Sequence, residues 1–266
     1  MKDIKLILLI ALGFFLVNAC STEKNTLINR TYHGINAHYN GYFNANELIR
    51  QSLETYSASR VENYYELIPI DPLPNETEII GMYPAIDTAI GKCKKVIQDH
   101  SMPSNDRPAR KKDEHNKWID ENWTTIGIAS YYRRDYDGAM KYTDEADKRG
   151  VRDNDIYRMR GYSRVEMGNF QQGIDNLDEM VKKGVKPYFM DDLYFGKGYQ
   201  GLGKDSLAIA YMEKAAPLDT NNNVYSLIHD IRYKQKRYLE ASVAGNKSIE
   251  WKEKRAQTVG SGDYFK

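Results

Sequence analysis

The chain has 266 residues, with 38 basic and 37 acidic side chains and a net charge of +1. That balance leaves no global field to gather nucleic acid or acidic substrates, and two cysteines cannot build a disulfide framework. Of the eight prolines, six fall at Pro69, Pro72, Pro74, Pro84, Pro103 and Pro108, so the part after residue 110 is open to long helices.

Lys2 and Lys5 precede an apolar run of twelve residues from Leu6 to Val17. A membrane-spanning helix needs roughly 20 residues, so the run reads as the apolar core of a signal peptide. Val17-Asn18-Ala19-Cys20 then has an apolar residue at −3, a small residue at −1 and a cysteine, which is the lipobox pattern of bacterial lipoproteins. Residues 1–19 are therefore expected to be a lipoprotein signal peptide, with Cys20 the lipidated residue. Each buried CH₂ contributes ~0.8 kcal/mol, so the two or three acyl chains of such an anchor hold it close to permanently. With Cys20 acylated, Cys93 is the one remaining thiol. It falls in an amphipathic pattern with Ile86, Ala89, Ile90 and Ile97 and reads as a small buried hydrophobe.

Residues 20–112 form an irregular N-terminal helical segment. A helix pair is expected over 26–58, with Tyr39 and Phe43 one turn apart. The stretch Leu67-Ile68-Pro69-Ile70-Asp71-Pro72-Leu73-Pro74, within a loop at 66–84, cannot be helix because proline lacks the amide donor and clashes with the preceding turn. A further helix is expected over about 84–100, then a loop over 101–112 whose basic run Arg107–Lys112 reads as solvated. The next helix is expected to start near Asp113.

From residue 118 a period appears. Gly127, Gly161 and Gly196 are spaced 34 and 35 apart, and Ala139, Gly173 and Ala208 keep the same spacing. A 34-residue period of helix–turn–helix units is the tetratricopeptide signature. The fold class is therefore all-α, a tetratricopeptide-type solenoid of about four repeats over 113–254, followed by a polar tail at 255–266. Positions 8 and 20 of each repeat need small residues because the two helices cross most closely there. The fourth repeat is weaker, with Tyr225, Tyr238 and Ala241 near the expected places. Its second helix, carrying Asn246, Lys247, Glu250, Lys252, Glu253, Lys254 and Arg255, is polar enough to serve as a cap.

Candidate chemistry is sparse. Gly196-Lys197-Gly198-Tyr199-Gln200-Gly201 spells G-x-G-x-x-G, but dinucleotide binding requires that motif after a strand and at a helix start, whereas here it lies inside a helix. Packing explains Gly196 but not Gly198. His33, His38, His100, His115 and His229 form no metal-binding spacing; surface or packing roles are expected. Asp153-Asn154-Asp155 lacks the glycine and closing glutamate of a calcium loop and is expected to cap a helix. No catalytic constellation converges. No catalytic residue, cofactor, metal, nucleic acid or small-molecule substrate is expected.

In such a stack the first helix of each repeat lines a groove. The candidate partner-binding residues are Glu121, Thr124, Ile128, Tyr131 and Tyr132 in repeat one, and Asp155, Arg158, Tyr162, Val165 and Glu166 in repeat two. In repeat three they include Leu193, Lys197 and Gln200. Tyrosine and arginine are frequent anchors of protein contacts.

The N-terminal segment resembles a known family. The residues that carry the resemblance are Cys20 to Thr26, Arg30-Thr31-Tyr32-His33, His38 to Asn44, Asn63 to Pro69, Ala89 to Met102, Lys117 to Glu121, and Ile126-Gly127 through Asp135-Tyr136. Together they are similar to the PorW/SprE lipoproteins of Bacteroidota. The likeness covers roughly residues 20–150, and beyond that only generic repeats. It implies an outer-membrane lipoprotein facing the periplasm. It also implies a non-enzymatic adaptor of the type IX secretion and gliding machinery, linking the outer-membrane translocon to periplasmic ring and motor components. Ser21 is not the aspartate that favours inner-membrane retention, which agrees with that placement. Members of that family are much longer, so this chain is either a piece or a short paralogue. A second reading is a glycan-binding helical-repeat lipoprotein for polysaccharide uptake. That class needs aromatic platforms on loop insertions, whereas Trp118, Trp123 and Trp251 all sit in expected helices.

Overall fold

The computed structural model describes residues 25–59, 79–104, 113–218 and 223–254. The expected signal peptide, Cys20, the Leu67–Pro74 stretch, the basic run at Arg107–Lys112 and the polar tail lie outside the described residues.

Described helices in chain order are α1 (Leu27–Asn36), a π-helical segment (Ala37–Phe43), α2 (Asn44–Ser59), a 3₁₀ turn (Ile79–Met82) and α3 (Tyr83–His100). Then follow α4 (Trp118–Tyr132), α5 (Tyr136–Lys148), α6 (Asn154–Glu166), α7 (Phe170–Lys182), α8 (Phe189–Gly201), α9 (Asp205–Ala215), α10 (Val224–Lys234) and α11 (Tyr238–Glu253). Among the described residues no helix is long and apolar enough to cross a membrane.

The four helix pairs expected from the period are present as α4/α5, α6/α7, α8/α9 and α10/α11. The close crossing falls where the spacing places it. A β-carbon on Gly161 would sit 2.8 Å from Leu177 and 3.3 Å from the Gly173 carbonyl, and one on Gly173 would sit 3.0 Å from the Gly161 carbonyl. Gly127 faces Thr143 and Ala139 in the same way, and Gly196 faces Met212 and Ala208. The tight turn inside each pair repeats too. A left-handed residue recurs at Arg134 (φ 58°), Gly168 (80°), Gly203 (70°) and Lys236 (59°).

The G-x-G-x-x-G run lies in the body of α8 rather than at a helix start. A β-carbon on Gly198 would meet Ile174 at 2.9 Å, and one on Gly201 would overlap the Phe170 ring. Gly196 thus admits α9, while Gly198 and Gly201 admit α7 of the preceding repeat, which accounts for the glycine the period left unexplained.

Two expectations are corrected before residue 118. Over 26–58 there is no helix pair but one unbroken helical rod, α1–π–α2, with Asn36, Ala37 and Asn44 all right-handed helical. A side chain from α4 reaches the ladder where the π segment begins. Asn122 of α4 donates from Nδ2 to the Ala37 carbonyl (3.1 Å), beside Gly41, where any β-carbon would collide with Asn122. The helix expected near Asp113 starts instead at Trp118. Residues 113–117 are held irregular by Glu114, whose Oε1 accepts from the Met102 (2.7 Å) and Asn116 (3.0 Å) amides, while the His115 amide donates to the Met102 carbonyl.

The rod and α3 pack together and onto α4. One apolar cluster joins Ala45, Ile49, Ile86, Ala89 and Cys93 to Ile126 and Ala129, so the first repeat completes its core against the N-terminal segment. Cys93 is fully buried, and desolvation pushes its thiol up to about 12. A second cluster runs through α6–α11.

Buried polar groups pin the same junction. The Arg149 guanidinium donates to Asp120 (2.6 Å) and lies 3.6 Å from Glu114, all three buried. His33 and His100 share an Nδ1···Nδ1 hydrogen bond of 2.8 Å, with Asn116 donating to both of their carbonyls. His38 stacks on Trp118 at 3.8 Å between ring centroids. These histidines pack, as expected.

Candidate functional site

The first helices α4, α6 and α8 touch in succession and form one wall. Their side chains are not independent groups but a hydrogen-bonded lattice that crosses the repeat boundaries.

At its centre stands Asp191 of α8, with no exposed side-chain surface. It accepts from the Tyr162 hydroxyl (2.6 Å) and the Tyr188 amide (3.1 Å), and from Arg158, whose Nε and Nη2 lie 3.2 Å from its oxygens. Arg158 also covers the Tyr188 ring at 4.9 Å and pairs with Asp155 at 3.2 Å. A buried carboxylate needs this many donors, because its desolvation is otherwise uncompensated.

One turn further along α8, Glu166 of α6 accepts from the Tyr194 hydroxyl (2.8 Å) and the Lys197 ammonium (3.0 Å). Burial alone would raise the Glu166 carboxyl, but Lys197 and Tyr194 outweigh it and hold the group below its usual range. The Tyr194 hydroxyl also meets the Tyr131 hydroxyl of α4 at 3.0 Å. The Tyr162 and Tyr194 rings stack at 4.0 Å, and Tyr131 lies 5.8 Å from Tyr162. Three repeats are therefore joined by three tyrosines. All three phenols are raised above their ordinary value of 10.0, chiefly by burial.

The expected groove residues divide into two groups. Tyr162 (1 % exposed), Thr124 (3 %), Val165 (4 %) and Leu193 (0 %) belong to the interior of the wall rather than its surface. Thr124 donates to the Asp120 carbonyl at 3.3 Å instead of facing outward. Ile128 and Tyr131 pack partly against the α6–α11 cluster, and Tyr132 against the N-terminal one. Asp155 is exposed, while Glu121, Arg158, Lys197 and Gln200 are half-buried. With the rim of Glu166 these form the accessible, charged surface.

Asp191, Tyr188 and Tyr194 were not among the expected groove residues. Asp191 falls five residues before Gly196, as Asn122 falls five before Gly127. Both are buried, and both bond to the preceding helix that occupies the first-helix place. A polar residue at that repeat position is the signal that would have found them, but repeat two carries Ile156 there and breaks the pattern.

The capping role expected for Asp153 is present, with its Oδ1 accepting from the Asp155 amide at 2.9 Å. Among the described residues no group of three or more histidine, cysteine or carboxylate side chains is placed to hold a metal. The three tryptophans lie in α4 and α11, with Trp118 under His38, Trp123 against Tyr142 and Trp251 buried.

The fold that the crossing glycines, the recurring turn and the stacked pairs define is an all-α tetratricopeptide-type solenoid. Solved structures of tetratricopeptide-type proteins are similar to it. A crystal structure of MamA matches at 19 % identity and a TM-score of 0.51, over 69 % of this chain and 98 % of that one. MamA from residue 41 to its end, from Desulfovibrio magneticus RS-1, matches at 17 % and 0.52, over 66 % and 90 %. A double mutant, MamA RS-1 ArsTM, matches at 17 % and 0.51, over 64 % and 87 %. At these identities the likeness is one of fold. No protein-family model matches the sequence, and no curated protein does.

Proposed function

We propose that the chain is a non-enzymatic scaffold that binds protein partners along the α4–α6–α8 wall, held at the outer membrane by lipid on Cys20 and facing the periplasm. The observation that carries the reading is the wall itself. Arg158, Asp155, Lys197, Glu166 and Gln200 stand on a base of buried tyrosines whose hydroxyls are already bonded. A surface organised in advance loses little side-chain freedom on binding, and an extended face of this kind suits a peptide segment or a helix of another protein.

The finer assignment is to type IX secretion and gliding, with the chain bridging the outer-membrane translocon and periplasmic ring or motor components. Its support is the lipobox and the resemblance over residues 20–150. Deleting the gene in a strain without a paralogue is expected to impair secretion and gliding, and Cys20→Ala to do the same by releasing the scaffold from the membrane. Intact secretion in the deletion strain overturns the assignment. A photo-crosslinker in place of Gln200 or Glu121 is expected to capture a component of that machinery. If neither position captures one, the wall is not the contact surface.

A further inference from the structure

The rod carries a second face that lies largely outside the core, with Tyr32 edge-on to His100 of α3. His33, Ala37, Gly41, Ala45 and Ile49 point into the core. On the other side Ile28, Tyr32, Ile35, Tyr39 and Phe43 follow one another at i, i+4, i+7, i+11 and i+15, one stripe of a helix. With Leu27 beside them they are at least half exposed, from 50 % at Tyr32 and Phe43 to 81 % at Leu27. The stripe is about 20 Å long at 1.5 Å per residue. An uninterrupted apolar row of that length on a folded surface marks a contact.

Charge points to what covers it. The chain has 37 acidic residues, yet none falls between Lys24 and Asn46. Across that stretch the neutral polar positions are largely asparagines, and the formal charges are the basic Lys24 and Arg30. An acid-free, weakly basic helix with tyrosines among its apolar residues has the composition that rests in the headgroup region of an anionic bilayer. Reach points the same way. Six residues separate Cys20 from Leu27, and a fully extended chain covers at most about 3.5 Å per residue. An acyl group on Cys20 therefore holds the start of the stripe within about 25 Å of the membrane.

We infer that the face formed by Leu27, Ile28, Tyr32, Ile35, Tyr39 and Phe43 lies on the lipid surface, so that the rod rests along the membrane. The inference builds on the proposed lipid anchor and adds to it. A lipid on Cys20 fixes one point of the chain, whereas a second contact along the rod sets its orientation and the direction in which the α4–α6–α8 wall faces.

The test reads the two contacts separately. Full-length acylated protein is reconstituted in vesicles of phosphatidylethanolamine and phosphatidylglycerol. An environment-sensitive fluorophore is placed on Ile35→Cys, or on Ser206→Cys in α9 as the distant control. Buried Cys93 does not compete for the label. Bromine-labelled lipid is expected to quench the probe at position 35 and not at 206. In a second arm, the mature chain with Cys20→Ser, and hence no acyl group, is sedimented with the same vesicles. It is expected to bind, and Ile28→Glu with Ile35→Glu is expected to weaken binding at least tenfold without changing the circular dichroism.

Vesicle-bound acylated protein with an unquenched probe at 35 overturns the stripe contact and leaves the anchor standing. Native protein that bears no acyl group by mass spectrometry overturns the anchor, and the second arm still decides the stripe. Sedimentation that the double substitution does not alter, or a dimer that it dissociates, overturns the lipid assignment; the dimer would give the face to a second copy of the chain.

Discussion

Asp191 and His100 are ionisable side chains in two different settings, one fully buried among donors and one half-buried against a second imidazole. Asp191 collects donors from Arg158, Tyr162 and the Tyr188 amide. Asp191→Ala leaves Arg158 and the Tyr162 hydroxyl facing a space without their acceptor. Breaking such a pair is expected to cost about 3–5 kcal/mol in urea unfolding, and Asp191→Asn distinctly less, since the shape and part of the bonding survive. Equal losses for the two would show that the shape and bonding kept by asparagine contribute nothing.

At His100 the surroundings disfavour the charged form. Burial first, and the facing His33 next, lower its pKa below the ordinary 6.5. In the 2.8 Å Nδ1···Nδ1 bond one ring must donate and the other accept, so the pair cannot hold two protons there. The unfolded chain then takes up the proton first as the pH falls. Folding stability is expected to drop as the pH falls below about 6.5, by the linkage between proton uptake and unfolding. His100→Gln is expected to flatten that part of the stability profile, measured by urea unfolding across the acid range. An unchanged slope would remove His100 from the account.

Among elements, glycine has two opposite effects on this fold. At Gly161 the α6–α7 crossing leaves no room, and a methyl group presses on Leu177 and the Gly173 carbonyl. Gly161→Ala is expected to destabilise by about 1–3 kcal/mol, the usual range for overpacking. Gly91, exposed in α3 with nothing within 4 Å of an added β-carbon, only weakens its helix. Gly91→Ala is expected to stabilise by about 0.5–1 kcal/mol through the lost backbone freedom. Thermal denaturation of the two variants side by side checks both signs, and the same sign in each would refute the packing account. The rod teaches a related lesson. Its apolar and aromatic residues suggest two helices, but nothing in the local sequence states that the rod is continuous or that Asn122, far along the chain, bonds to it at Ala37.

In the molecule as a whole, Tyr131, Tyr162 and Tyr194 couple three repeats into one cooperative face. Their phenols resist ionisation in the folded state, whereas an unfolded chain releases those protons near 10.0. Stability is therefore expected to fall as the pH rises above that value. Ultraviolet titration is expected to show a group of tyrosines that ionise together with loss of helical dichroism. Smooth ionisation of every tyrosine with the helices intact would count against the coupling.

The sequence by itself determined the solenoid. A 34-residue period with small residues at the helix crossings has one stable reading, because each helix pair must bury its apolar face on the next. It also determined that Cys93 is interior, that Asp153 caps a helix, and that the G-x-G-x-x-G run lies within one. Only the tertiary structure decided which groove residues are surface and which are wall. Thr124 and Tyr162 occupy groove positions in the repeat yet are buried, because neighbouring helices close over them. Asp191 and Tyr194, outside the expected set, organise the face. Burial and hydrogen bonding are set by what comes near from distant parts of the chain, and a period describes only what recurs within it. The stripe along the rod stands between these cases. Its residues are legible in sequence, but that the rod turns the stripe outward, away from its own core, is decided by how it packs on α3 and α4.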